Sequence, residues 1–272
     1  MGFLPLLKRW RRERVLRRCA LDEELWRQTV ERHACTRVLP ERDRVRLKSL
    51  VALFLHEKPI HGAGGLVMTE EIRMAIAAQA CMLILELDLD YYRGWVEVIV
   101  YPDEFVARYE YADEYGVVHT VAEPMSGESW ERGPVILSWA DAAGADCADT
   151  PYNVVMHEFA HKLDMLNGVA DGFPPLHSDM SRKDWTDAYT AAYEDFCARI
   201  DARVNLPIDE YAGESPAEFF AVMSEVFFEH PQLLLDMYPR VYGQLARFYR
   251  QDPVRRASAM HPPVIPAATT RR

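Results

Sequence analysis

Residues 157–161 read His-Glu-Phe-Ala-His, and no other feature narrows so far what this 272-residue chain can fold into. Val154, Val155, Phe159 and Leu163 surround the motif at helical spacing. At about 100° per residue the two histidines fall about 40° apart on one helix face, so both imidazoles can reach one ion. Two histidines do not complete a catalytic metal site. Zinc takes neutral nitrogen ligands about 2.0–2.1 Å away and, in catalytic sites, a third protein ligand with a position kept for water. Glu158, beside His157, is then placed to take a proton from that water and pass it to a leaving amine. The chain must therefore fold so that a ligand from a distant segment meets this helix.

An extended His-x-x-Gly-x-x-His arrangement is excluded, because Asp164 and Asn167 stand where its glycine and third histidine would be. A carboxylate from a later helix is the remaining common solution, and the helix within Tyr211 to Phe228 offers two, Glu218 and Glu225. Its helix is apolar nearly all round, so an acid there is costly to bury without a partner. Glu218 reads equally as a metal ligand and as the closing residue of a capping box, with Ser215 as N-cap and Pro216 at the first helical position. Glu225 lies about 20° from it around the helix, and is either the ligand itself or an acceptor behind a ligand histidine. Asp164 and Asn153 read as supporting or capping groups. His177, His230 and His261 have no ligand spacing and are expected in solvent.

These segments resemble the Mlc titration factor A family of zinc peptidases. The likeness rests on Asn153 to Asp164 (N-x-V-x-H-E-F-A-H-K-L-D), on Asp171-Gly172-Phe173-Pro174, and on Glu214 to Glu225 (E-S-P-A-E-F-F-A-V-x-S-E). It extends to Gln79-Ala80, Val100-Tyr101-Pro102, Gly127-Glu128-Ser129-Trp130, Gly133-Pro134-Val135 and Phe248 to Pro253, covering roughly residues 35 to 253. The catalytic domain of anthrax lethal factor is similar over the two metal segments alone. The resemblance implies one Zn²⁺ per chain held by His157, His161 and Glu218, with Glu158 as general base. It also implies that Tyr211, seven residues before Glu218, donates a hydrogen bond to the oxyanion formed during attack. The implied activity is that of a peptidase of aminopeptidase-like character on peptide or protein substrates, with a regulatory role through binding the Mlc repressor of sugar phosphotransferase genes. The competing reading is a regulatory binding module in which zinc is structural and hydrolysis incidental.

Around this centre the chain reads as α+β. Helices are expected from about residue 10 to His33 and from Pro40 to about 56, followed by a Gly-rich turn at 61–65 and a long helix capped by Thr69. From Trp95 the apolar period changes to two, and runs near 96–100, 117–121 and 135–139 read as a small, mostly antiparallel sheet. Further helices are expected near 151–167, 182–202, 216–229 and 231–250. With the resemblance, this becomes a zincin-like fold of the gluzincin kind. It divides into a basic segment and helical annex over 1–65, a catalytic core over 66–253 and an irregular, Pro-containing tail over 254–272.

Charge and cysteine usage bound the setting. Lys and Arg number 31 against 42 Asp and Glu, a net of −11, and a surface that acidic disfavours direct binding to nucleic acid. The balance is uneven: residues 1–18 carry seven basic residues and one acid, giving +6 there and −17 over the rest. The basic run follows a short apolar stretch instead of preceding it, which is not the order of an export signal. It reads as a basic first helix docked on an acidic body, with weak peripheral contact to anionic lipid through Phe3, Leu4, Leu6 and Leu7 as the second reading. No apolar run has the length of a membrane span. Five cysteines, Cys19, Cys35, Cys81, Cys147 and Cys197, include no C-x-x-C pair and suit a reducing cytoplasm.

Overall fold

Helices open and close the fold, and the sheet lies between them. The computed structural model describes residues 3–112, 118–125, 127–129, 133–144 and 152–260; Val117, Trp130, Cys147 and His261, singled out above, lie outside them. α1 (Phe3–Leu16), α2 (Glu23–Arg32), α3 (Ala34–Arg37) and α4 (Glu41–Glu57) come first. The single helix expected up to His33 is broken, because Asp22 accepts from the Leu25 amide (2.8 Å) and starts a new helix with Glu23 and Glu24 in its first turn.

β1 (Ile60–Gly62) follows, then α5 (Glu70–Leu83), capped by Thr69 as expected. Its buried positions run from Met74 to Leu83 without a break, which places it inside the fold. Next come β2 (Val98–Tyr101), β3 (Phe105–Ala112), β4 (Val118–Met125), β5 (Gly127–Ser129), β6 (Val135–Ser138) and α6 (Trp139–Gly144).

The mostly antiparallel sheet is corrected by the strand pairing. The four-stranded sheet runs β1-β2-β6-β5, and β1, β2 and β6 are mutually parallel; only β5 is antiparallel to its neighbour. β3 and β4 form a separate antiparallel pair. Apolar alternation tells which residues face the core and nothing about strand direction. Direction follows the connection: α5 carries the chain back across the sheet between β1 and β2, which makes those strands parallel. His61 and Gly62, read as part of a turn, pair with Ile99 and Val100.

α7 (Val154–Asp164) packs on β5 and β6, and α8 (Arg182–Asp201) and α9 (Pro216–Glu229), the latter packed on α7, come next, followed by α10 (Pro231–Met237), α11 (Pro239–Tyr249) and α12 (Pro253–Met260). The helix expected over 231–250 is split at Tyr238, whose φ of −133° is not helical, because Pro239 disfavours an α conformation in the residue before it. Pro253 opens α12, so residues 254–260 of the tail expected to be irregular are helical. Phe159 of α7 packs against Phe54, Tyr92 and Trp95 with ring centroids 5.7, 5.1 and 5.6 Å apart. This aromatic cluster fixes the motif helix against α4 and the segment leading into β2. Each such pair is worth about 0.5–1.5 kcal/mol beyond its buried area.

Candidate metal centre

Every residue of α7 is buried, including His157, Glu158 and His161. The helix starts at Asn153, whose side chain accepts from the Met156 amide (2.9 Å). Asn153 is in turn fastened to α9: its backbone N–H donates to Glu225 Oε2 (2.5 Å) and its side-chain amide to Glu229 Oε1 (2.9 Å). The cap that begins the motif helix is thus held by the helix that carries the candidate third ligand.

Glu218 and Glu225, two turns apart on α9, meet opposite edges of one imidazole. His157 Nδ1 donates to Glu225 Oε1 (2.7 Å), while Nε2 faces Glu218 Oε2 at 2.9 Å. His161 Nε2 lies 3.2 Å from the same Glu218 oxygen and 3.1 Å from His157 Nε2. Ser215 Oγ accepts from the Glu218 amide (3.2 Å), so the backbone half of the capping box forms. The Glu218 carboxylate faces the histidines. Capping and convergence on the histidines therefore coexist at this residue.

The donor set fits a divalent cation. With its Nδ1 proton given to Glu225, a neutral His157 presents a lone pair at Nε2, where a carboxylate oxygen and a second imidazole nitrogen also point. Three electron-pair donors facing one another within about a hydrogen-bond length repel unless something positive lies among them. With the two carboxylates alone as partners, burial opposes charge on His157, but its bonds to Glu218 and Glu225 outweigh that and hold its pKa well above the ordinary imidazole range. Burial raises the Glu218 carboxyl, and the two histidines overcome it to bring its pKa down to about 2. Glu225, wholly buried, is pushed up by desolvation against the pull of His157.

Tyr211 lies in a short 3₁₀ turn (Glu210–Gly213) ahead of α9, with Asp209 Oδ1 accepting from its amide (2.9 Å). Its ring centroid is 5.9 Å from that of His157. At 41% exposed it is not a packing residue. Burial of the phenol and then the nearby Glu218, Glu214 and Glu158 raise its pKa, so the hydroxyl keeps its proton.

Three further residues shape the site. A Cβ on Gly127 of the edge strand β5 would lie 2.4 Å from Glu158 Oε1, so the β5 backbone passes directly over that carboxylate. Asp164 Oδ2 accepts from the Gly172 amide (2.7 Å), and burial pushes the Asp164 pKa to about 6. Gly172, at φ +78°, leaves no space for a side chain, since a Cβ there would lie 2.4 Å from the Pro216 carbonyl oxygen. The end of α7 and the start of α9 are thereby locked through one loop. In the sequence these glycines marked only likeness and turns. His177 departs from its expected solvated position: its Nε2 donates to the Phe248 carbonyl (2.8 Å) and its ring stacks on Phe248.

A family model described as glucose-regulated metallo-peptidase M90 matches residues 7–250. Proteins named Mlc titration factor A are similar along most of their length. That of Serratia proteamaculans is 39% identical over 223 residues, covering 80% of this chain and 84% of the relative. That of Klebsiella pneumoniae is 36% identical over 233 residues, covering 85% and 87%.

Proposed function

Because this chain belongs to the glucose-regulated metallo-peptidase M90 family and is a metallopeptidase by that membership, we propose that it hydrolyses peptide bonds by general-base catalysis with zinc held by His157, His161 and Glu218. The observation that carries the reading is the meeting of those three donor atoms, two from the buried helix α7 that also carries Glu158 and one from α9. Two imidazoles and a carboxylate are a donor set that zinc accepts with a position left for water. Zinc bound there supplies a Lewis acid and lowers the pKa of a water molecule.

The chain's own residues supply the rest. Glu158 takes a proton from the attacking water and returns it to the leaving nitrogen. Gly127 itself puts no side chain over the carboxylate, and among the described residues β5 is the terminal strand of its sheet. Its outer edge can receive an extended peptide as an added strand, which presents a backbone carbonyl over Glu158. The protonated phenol of Tyr211 donates to the oxygen that becomes negative. Aminopeptidase-like cleavage in the cytoplasm is the finer expectation.

The test is one preparation and two variants. Elemental analysis is expected to find one zinc per chain, Glu158→Gln to keep the metal and lose most hydrolysis, and Tyr211→Phe to keep the metal while kcat falls by about 10²–10³. Unchanged turnover in Glu158→Gln overturns the mechanism. Faster cleavage of peptides with a free amino terminus than of their acetylated forms tests the aminopeptidase reading.

A second reading follows from the relatives' name, which says that they titrate Mlc. In it the chain binds an Mlc-type repressor and the metal serves structure. Undiminished binding of such a repressor by Glu158→Gln, with no peptidase activity in the unsubstituted protein, favours it.

A further inference from the structure

One face of α1 docks on the protein and another does not. Arg12 forms a two-pronged pair with Asp88 (2.7 and 2.9 Å), Lys8 pairs with Asp90, and Val15 packs on the core. About a quarter-turn away lie Leu7, Trp10, Arg11 and Arg14, with Arg18 just past the helix end. Leu7 is 43% and Trp10 55% exposed. Among the described residues Arg11, Arg14 and Arg18 enter no ion pair; Arg14 lies over the Trp10 ring at 5.6 Å. These side chains border a groove of about 930 Å³ whose other wall includes Leu53 and His56.

The residues of this face are ordered along the helix axis. In the sequence Phe3, Leu4 and Leu6 precede Leu7, so the segment begins apolar, passes through Trp10 and ends in the three arginines. An apolar end, an aromatic at the boundary and a basic stem match the layering of a membrane interface, where acyl chains give way to phosphates. A nucleic acid offers nothing to the apolar end, and an acidic peptide would have to bring an apolar stretch of its own.

We propose that this face of α1 docks the protein peripherally on an anionic phospholipid surface, with Leu7 and Trp10 at the acyl boundary and Arg11, Arg14 and Arg18 among the headgroup phosphates. The charge of the molecule orients the contact. Residues 1–18 carry +6 and the remainder −17, so a negative surface attracts this end and repels the body. Arg12 and Lys8, which anchor the helix to the protein, are not the cations that meet the lipid. No described helix is long and apolar enough to cross a membrane.

Sedimentation of the full-length protein with vesicles tests this. Vesicles of equal parts phosphatidylcholine and phosphatidylglycerol are expected to carry the protein down, phosphatidylcholine alone to leave it in solution, and added salt to reverse the binding. Each basic residue near such a surface is worth on the order of fivefold in partition, so R11Q/R14Q/R18Q is expected to lose on the order of 100-fold. Trp10→Ser is expected to weaken binding while its salt dependence stays. Circular dichroism and peptidase activity should be unchanged in both variants. Equal partition into both vesicle types overturns the proposal, as does retention of binding by the triple variant. Binding to double-stranded DNA or polyglutamate in the absence of vesicle binding assigns the strip to another anion and also overturns it.

Discussion

Glu225 grips His157 from behind: its Oε1 accepts the Nδ1 proton at 2.7 Å, while its Oε2 accepts the amide of Asn153, the residue that caps the same helix. One buried carboxylate thus sets both the tautomer of a candidate ligand and the position where its helix begins. Hydrogen bonds of this kind orient a ligand imidazole and raise its basicity. Glu225→Gln replaces an oxygen by an amide nitrogen that cannot accept, so one of the two bonds is lost. Metal affinity, read by competition with a chelator, is expected to fall about 10–100-fold. A lower melting temperature with unchanged affinity would make Glu225 a fold residue only.

Ser215 and Glu218 separate capping from metal binding. Ser215→Ala removes the acceptor for the Glu218 amide and is expected to cost about 1 kcal/mol of stability while the metal is kept. Glu218→Ala leaves that cap in place and is expected to lose the metal with little change in helix content. Metal retained by Glu218→Ala and lost by Glu225→Ala would reverse the assignment of ligand and supporting acid.

Gly127 tests the closeness of β5 to the general base. In Gly127→Ala the new methyl would lie 2.4 Å from Glu158 Oε1, so the carboxylate or the strand must move. Metal content is expected to stay, because His157, His161 and Glu218 are untouched. Turnover is expected to fall by at least about tenfold, since misplacement of a catalytic group by about an ångström can cost about 10²-fold. Full activity would show that β5 gives way without disturbing Glu158.

The pairing of Arg12 with Asp88 makes the docking of α1 dependent on pH. The hydrogen bond from Arg12 is the chief cause that lowers the Asp88 pKa, opposed by burial, and holds the carboxyl well below the ordinary carboxylate range. A depressed folded-state pKa stabilises docking above the unfolded value of about 3.9, and that contribution is lost as pH falls from there through the folded value. Asp88→Asn removes the charge at every pH. Hydrogen exchange over α1 is expected to be faster at neutral pH in this variant than in the unsubstituted protein, and to change less on acidification. Equal exchange at neutral pH would show that Val15 and Lys8 hold the helix unaided.

What the sequence by itself determined was local. A period of 3.6 residues places His157 and His161 on one face whatever surrounds them, and Thr69, Ser215 and Pro216 mark helix starts because capping needs only neighbours in the chain. The choice between Glu218 and Glu225 was not legible from residue spacing, since both fall on nearly the same side of α9; the family resemblance named Glu218. The crossing of α9 over α7 sets one acid against each nitrogen of His157. Strand direction was likewise out of reach, because alternation is the same for parallel and antiparallel strands; the α5 crossover decided it for β1 and β2. Gly127 and Gly172 acquire their meaning only from what approaches them, the Glu158 carboxylate and the Pro216 carbonyl. Such contacts join residues far apart in the chain, and only the packed tertiary structure fixes them.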